Sequence, residues 1–390
     1  MPGGSPRLTR PFHIVCDPNP FCYGSISALR ALARHLPEAR LTVLATGPVL
    51  EQCDSATFAQ VLSCDVKDPE SVRRYVPVLA SADLYLSVSN NANIGLALEL
   101  GLPLVFVDIL FWMKRRVTPA MRQARSYLIE NFPGVAGTLS RYGHEMARPR
   151  VVGPLIAPPP SRKERSSTSH LLVNYGGAHS PDIVPGKNTC YPSSMTRLVR
   201  ELLPEAGWPA DTVTIAAGAR AVARIREEGA QGNLRVETLP QDRYLELLAT
   251  SRQLLTAPGL NAPFEAFALD VPTSFLSPQN LTQVCQLPVY QEHGLAPRGL
   301  NLTELYPEST IDPRAPEAEG TARVLELIAR FDADPRAREA VNERVATQLR
   351  RSPLELERQL VAQRDFLRVL GPPGGEEAAA EIRRVLEGTP

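Results

Sequence analysis

The chain has 390 residues, 43% of them hydrophobic, which is enough for two domains with sizeable cores. Its 42 Lys and Arg residues balance its 42 Asp and Glu residues, and this zero net charge argues against a general nucleic-acid binder. The sequence has neither an apolar run of transmembrane length nor a signal-peptide pattern, so we expect a soluble cytoplasmic protein without a membrane span.

The cysteines give no sign of a metal site or a disulfide framework. They are scattered along the chain and none is spaced as CxxC: Cys16, Cys22, Cys53, Cys64, Cys190 and Cys285. Thiols in this pattern are typical of small buried side chains. We therefore expect no metal and no cofactor.

Strand and helix patterns alternate through the first 150 residues. Apolar runs predict strands at 12–16, 41–45, 83–89 and 103–109, and helical spacing predicts helices at 25–36, 68–81 and 91–101. Such alternation predicts a parallel sheet covered by helices on both faces. Residues 1–150 are therefore predicted to form one Rossmann-like domain.

The pattern restarts after a segment rich in proline, serine and charge, which predicts a linker at 151–169. Beyond it, strands are predicted at 170–177, 212–218, 233–239, 252–257 and 273–276, with a helix at 244–251. Residues 170–310 thus form a second predicted Rossmann-like domain. The segment 311–390 is predicted to be helical, at 319–331, 335–349 and 353–370, and its tail is either a last helix or a frayed end.

The predicted fold class is therefore α/β, with two facing Rossmann-like domains and C-terminal helices. In open parallel sheets, ligands bind beyond the carboxyl ends of the strands. Two such edges facing each other would form a cleft in which two substrates meet.

The stretch 257–283, APGLNAPFEAFALDVPTSFLSPQNLTQ, is the first candidate site. Gly259 allows a ligand to approach the backbone closely, and Asn261 is expected to cap a helix whose free N–H groups hold a phosphate. Glu265, one turn later, could accept hydrogen bonds from both hydroxyls of a ribose. Amides follow at Gln279, Asn280 and Gln283, and amides suit sugar hydroxyls. The alternative is an ordinary strand–helix–strand unit with a polar loop.

A second glycine loop follows the first strand of the second domain. Gly176 and Gly177 could turn backbone N–H groups toward a phosphate, although a simple turn explains them equally well. Arg220, after the next strand, could meet a base, a phosphate or an acidic sugar.

The first domain offers candidate acceptor contacts and two candidate bases. Asp17 ends the first strand and could remove a proton from an acceptor, or could simply initiate a turn before Pro18. Tyr23 lies in the same loop, and Asn90 follows a later strand.

Asp108 is the second candidate base, at the end of another strand of the first domain. The flat side chains of Phe111 and Trp112 beside it could seat a planar acceptor, or could belong to an interdomain core.

Gly259, Asn261, Glu265, Ala266, Pro272 and Gln283 form a pattern that resembles the donor-binding stretch of inverting glycosyltransferases of the B fold. The resemblance implies transfer of a sugar from a UDP-sugar without a metal ion, and a base in the loop that contains Asp17. The chain departs from the family at Ala257 and Pro258, where a histidine is common, and at Gln279 and Asn280, where an acidic residue is usual.

The loop after the first strand, an S-x-x-N segment and V-D-x-L-x-W-M at 107–113 are similar to cytosylglucuronate synthases of nucleoside-antibiotic biosynthesis. This narrower resemblance implies UDP-glucuronate as donor and a pyrimidine such as cytosine as acceptor. Two alternatives stay open: a nucleotide-sugar hydrolase, and a catalytically inactive transferase-like protein that binds a nucleotide sugar or regulates a partner enzyme.

Overall fold

The computed structural model describes residues 11–157, 169–178, 190–297 and 299–388. Contacts divide the chain into two compact units. The first contains residues up to Pro20, Ser25–Ala157 and the segment from Gly371 onward; the second contains Phe21–Gly24 and the residues between Ala157 and Gly371. Of the predicted linker, 151–157 belong to the first unit, and 158–168 lie outside the described residues.

The first unit is built on a parallel sheet. Its strands are β1 (Phe12–Pro18), β2 (Ala39–Ala45), β3 (Gln60–Ser63), β4 (Leu84–Val88), β5 (Leu104–Asp108), β6 (Ser126–Glu130) and β7 (Pro149–Val152). Its helices are α1 (Gly24–Ala33), α2 (Pro48–Glu51), α3 (Pro69–Arg73), α4 (Val76–Leu79), α5 (Ile94–Glu99), α6 (Pro119–Gln123) and α7 (Val135–Tyr142). The predicted helix at 68–81 is two short helices, with Pro77 in the first turn of the second, where its missing N–H costs nothing.

The strand order among the described residues of this unit is β3-β2-β1-β4-β5-β6-β7. Every pair is parallel, and Ile14, Val15 and Cys16 of β1 are fully buried between β2 and β4. Burial on both faces explains why the central strands read as continuous apolar runs. The short strands β3, β6 and β7 were missing from the sequence prediction.

The second unit contains β8 (Leu171–Gly176), β9 (Val213–Ala217), β10 (Arg235–Glu237), β11 (Gln253–Thr256) and β12 (Thr273–Phe275). Its helices are α8 (Tyr191–Ala206), α9 (Ala219–Glu227), α10 (Gln241–Thr250), α11 (Asn261–Ala268), α12 (Leu281–Glu292), α13 (Glu317–Asp332), α14 (Pro335–Leu349) and α15 (Pro353–Leu370). The described strands pair in parallel in the order β10-β9-β8-β11-β12. Side chains of β8 and β9 share one apolar core with α8, α13 and α14.

The last helix, α16 (Gly375–Leu386), belongs to the first unit rather than to the preceding helices. Gly374 N–H donates to Pro154 O at 3.0 Å, and Arg383 Nε donates to Glu38 Oε1 at 2.6 Å. A Cβ on Gly153 would lie 1.7 Å from Pro372 O, so only glycine allows the two segments to pack here. The helical tail predicted as one possibility is therefore present.

The α/β fold class with two Rossmann-like units is confirmed. None of the helices in the described ranges is long and apolar enough to cross a membrane.

Candidate functional site

The candidate donor site lies where the strand order of the second sheet reverses. β8 is flanked by β9 on one side and by β11 on the other, so connections leave its carboxyl end in opposite directions. Such a reversal opens a crevice in which α/β proteins bind ligands. Gly176 ends β8 and Gly259 follows β11, so both predicted glycine turns lie at this crevice.

The turns after β8 and β9 each require a glycine. Gly176 has φ +61°, in the left-handed region, and its N–H donates to Asn174 Oδ1 at 2.9 Å. Gly218 N–H donates to Gly176 O at 3.0 Å, and a Cβ on Gly218 would lie only 2.8 Å from Gly177 O. Gly218 was missed by the sequence analysis, although a glycine directly after the strand TVTIAA was a signal for a close backbone approach.

The turn after β11 contains a short backbone hydrogen bond. Gly259 N–H donates to Ala257 O at 2.8 Å across Pro258. A Cβ on Gly259 would have Gln283 Nε2 as its nearest neighbour, at 3.9 Å, which is ordinary contact. The surrounding protein therefore has room for a larger residue at this position.

The prediction that Asn261 caps α11 is wrong. Asn261 is the first residue of the helix, Leu260 occupies the cap position, and no side chain accepts a hydrogen bond there. Pro263 in the first turn has no N–H. The Leu260 N–H makes no hydrogen bond with the described residues and is thus left to another acceptor.

Glu265 is buried, with 4% of its surface exposed, and is paired with a residue that the sequence analysis missed. Gln241, the first residue of α10, donates from Nε2 to Glu265 Oε1 at 3.1 Å. Gln241 Oε1 is buried and has no hydrogen-bond partner among the described residues. Burial, and then the Glu265 charge, raise the pKa of Tyr244 well above its usual value. The available signal was an amide at a helix start directly after Pro240.

The amides after β12 hold one another in this structure. Asn280 caps α12 by accepting from Gln283 N–H at 2.9 Å, and Gln283 Oε1 accepts from Gln279 N–H at 2.9 Å. Gln279 Nε2 donates to Tyr175 O at 3.0 Å. Of these predicted sugar contacts, Gln283 Nε2 is the group that faces the Gly259 turn.

Arg220 is exposed on the first turn of α9, two residues after Gly218. Among the described residues, no hydrogen bond or ion pair to its guanidinium is found.

In the first unit, Asp17 lies at the corresponding strand reversal, between β2 and β4, and is fully buried. Its carboxylate accepts from Tyr85 Oη at 2.7 Å, Asn90 Nδ2 at 2.8 Å and Asn93 Nδ2 at 3.0 Å. Burial raises the pKa of Asp17 to about 6, while the three hydrogen bonds lower it. Asp17 is therefore ionised at neutral pH, and its oxygens face protein donors rather than solvent.

Asn90, a predicted acceptor contact, belongs to this buried network and also donates to Val66 O at 3.1 Å. Asn93 was not predicted. It donates to the same Val66 carbonyl at 2.9 Å, and its Oδ1 has no hydrogen-bond partner among the described residues. The segment SNNAN contained this signal, because small amides after a strand often anchor a turn.

Asp108 is also fully buried and already has partners. It accepts from Tyr127 Oη at 2.5 Å and forms an ion pair with Lys114 Nζ at 3.2 Å.

The predicted aromatic acceptor contacts lie in different surroundings. Phe111 is buried in the core of the first unit, edge-on to Tyr127. Trp112 is half-buried, 4.8 Å from Phe132 between ring centroids, and its Nε1 has no hydrogen-bond partner in the described part of the chain. Tyr23 is half-buried, in the segment Phe21–Gly24 that groups with the second unit.

A third carboxyl group, Glu130, ends β6 at the same edge and was not predicted. It is 1% exposed; Oε1 accepts from Leu155 N–H at 2.6 Å, and Oε2 has no hydrogen-bond partner among the described residues. Burial raises the pKa of Glu130 to about 8, against a smaller opposing effect of the Leu155 N–H. Glu130 is thus a neutral acid at pH 7.

Nowhere in the described ranges do three His, Cys, Asp or Glu side chains form a group suited to a metal ion.

No family model and no curated protein matches the sequence. Solved structures do match. A UGT transferase from Siraitia grosvenorii in complex with UDP superposes with a TM-score of 0.53 at 12% identity, over 96% of this chain and 100% of that one. A UDP-glucosyltransferase from Polygonum tinctorium that glucosylates indoxyl gives 0.54 at 14%, over 97% and 100%. MurG from Acinetobacter baumannii gives 0.52 at 15%, over 96% and 100%. At this identity the likeness is one of fold, and the fold is that of B-type glycosyltransferases.

Proposed function

We propose that this protein is a glycosyltransferase that moves a sugar from a UDP-sugar to a small heterocyclic or natural-product acceptor. The proposal is carried by the arrangement of residues at the carboxyl edge of the second sheet. There, two glycine turns, an uncapped helix start and a buried Glu265–Gln241 pair surround the strand reversal. One solved structure of the same fold contains UDP, and another is a UDP-glucosyltransferase.

Each part of the donor has a counterpart at this edge. Glu265 would accept hydrogen bonds from the ribose hydroxyls, and Gln241 Oε1 offers one more acceptor beside it. The N–H groups at the start of α11 and the turn at Gly176 and Gly177 would hold the diphosphate, with Arg220 adding charge. The room at Gly259 supports this assignment, because the fold alone does not require glycine there.

The reaction would be an inverting displacement. A carboxylate, that of Asp17 or Asp108, removes a proton from the acceptor, the acceptor attacks the anomeric carbon, and the UDP oxygen leaves with the bonding electron pair. Helix N–H groups and backbone amides stabilise the leaving diphosphate, so the mechanism requires no metal. UDP-glucuronate as donor and cytosine as acceptor are the proposed substrates, and antibiotic biosynthesis is the proposed setting.

The buried state of Asp17 and Asp108 favours one alternative, a protein that binds a nucleotide sugar without turnover. A carboxylate that already accepts three protein hydrogen bonds needs a rearrangement before it can reach a substrate proton. Binding and turnover distinguish the two functions.

The test measures binding first and chemistry second. Isothermal titration with UDP, ADP and GDP should show selective binding of UDP. UDP-glucuronate and UDP-glucose are then incubated with and without cytosine, and products are followed by mass spectrometry. A glycosylated acceptor supports the transferase. Release of free sugar without acceptor indicates a hydrolase, binding without turnover indicates the inactive protein, and absence of UDP binding rejects the proposal.

A further inference from the structure

The turn between β11 and α11 is held by a side chain far away in the sequence. Tyr290, on α12, donates from its hydroxyl to Gly259 O at 2.6 Å. Its ring is fully buried, stacked on Phe275 at 5.0 Å with 15° between the ring planes, and it meets Phe267 and Phe366 edge-on. The hydroxyl is therefore fixed by aromatic packing on several sides.

This hydrogen bond sets the direction of one peptide group. The Gly259 carbonyl and the Leu260 N–H belong to the same planar peptide and point in opposite directions. Tyr290 on the carbonyl side thus aims the Leu260 N–H the other way. Leu260 is the cap residue of α11, and its N–H makes no hydrogen bond within the described residues.

The backbone of Gly259 does not fix this orientation alone. Glycine has wide conformational freedom, and its N–H bond to Ala257 O restrains the preceding peptide, not the following one. Gln283 Nε2, the nearest side-chain atom, is at contact distance only. The Tyr290 hydroxyl is the polar side-chain contact that acts on the Gly259–Leu260 peptide.

We propose that Tyr290 is a positioning residue for diphosphate binding: it presents the Leu260 N–H at the start of α11 to the phosphates of the donor. This inference rests on the proposed function, because it takes the donor to be a nucleotide sugar bound at this helix. Tyr290 itself does not touch the ligand. The affinity of a ligand that has no phosphate should therefore not depend on Tyr290.

Tyr290→Phe keeps the ring and removes the hydroxyl. Loss of one well-placed N–H contact should weaken UDP binding about fivefold, while uridine, which has no phosphate, should bind as it does to the wild type. Tyr175→Phe is the matched control. It also removes a fully buried tyrosine hydroxyl of the second unit, one that contacts Thr196 Oγ1 at 3.2 Å instead of a turn carbonyl. Both variants and the wild type are titrated with UDP and uridine, with uridine measured by competition.

Weaker UDP binding by Tyr290→Phe alone, with uridine unchanged, supports the proposal. Equal UDP affinity in Tyr290→Phe and wild type overturns it, as does an equal loss for UDP and uridine, which indicates a general structural role. If the wild type binds no UDP, the proposed function fails and this inference fails with it. Should Tyr290→Phe not fold, hydrogen exchange of the wild type decides: UDP must slow exchange of the Leu260 amide, and an unchanged rate overturns the proposal.

Discussion

Replacement of Glu130 by glutamine should change how stability depends on pH. In the folded protein, burial raises the pKa of this carboxyl from 4.5 to about 8. The unfolded chain therefore loses the proton at lower pH than the folded chain does. Between these two values, each rise in pH favours the unfolded state, so stability attributed to Glu130 is complete below pH 4.5 and is lost as the pH approaches 8.

The size of the effect follows from the gap between the two pKa values. At pH 7 the unfolded carboxyl is about 2.5 pH units above its pKa while the folded one is still protonated, which corresponds to about 3 kcal/mol. At pH 5 the same reasoning gives less than about 1 kcal/mol. Glu130→Gln is neutral at every pH, and its Oε1 can still accept the Leu155 N–H, so the variant avoids this loss.

Thermal unfolding of both proteins from pH 5 to pH 9 measures the difference. For a unit of this size, about 3 kcal/mol corresponds to a rise of roughly 6–12 °C in the melting temperature of Glu130→Gln over wild type at pH 7. The gain should shrink toward pH 5. Glu377→Gln, at an exposed position of α16 in the same unit, is the control and should show no such trend. A difference between Glu130→Gln and wild type that is the same at every pH would refute the argument, because a fixed difference cannot come from ionisation.

The remaining predictions concern the proposed reaction. Glu265→Ala should weaken UDP-sugar binding by about 1.5–3 kcal/mol in titration calorimetry, because charge-assisted hydrogen bonds to the ribose are lost; unchanged affinity would remove this role from Glu265. Asp17→Asn should lower kcat about 10²–10⁴-fold without changing donor affinity, and the wild-type rate should rise with pH through about 6 as Asp17 loses its proton. Asp108→Asn should mainly raise the acceptor KM. Full turnover by Asp17→Asn together with inactivity of Asp108→Asn would exchange the two roles, and wild-type kinetics in both variants would favour the binding protein.

Local sequence patterns were sufficient for much of the fold. Apolar runs bounded by glycine and proline predicted the central strands, because strands buried on both faces must be apolar throughout. The helices α14 and α15 were predicted with their observed limits of 335–349 and 353–370, since a proline begins each one and their apolar residues recur at helical spacing.

Other elements lacked a clear local pattern. β3, β6 and β7 are only four or five residues long, and an edge strand such as β3 carries exposed residues that interrupt the apolar run. Helix α12 was not predicted, because its first turn is rich in amides and Pro288 lies inside it. The Asn280 cap and the burial of Tyr290 stabilise the helix in spite of these features.

The amino-acid sequence by itself indicated the central strands, most of the helices, the restart of the α/β pattern in the second half and the stretch 257–283 as a candidate site, since each of these depends on neighbouring residues. The tertiary structure alone decided which of those residues act together. The pairing of Gln241 with Glu265, the Tyr290 bond to Gly259, and the network that surrounds Asp17 join residues 24 to 76 positions apart. Such contacts depend on strand order and helix packing, which periodicity does not encode, because each helical or strand pattern is compatible with many arrangements of its neighbours.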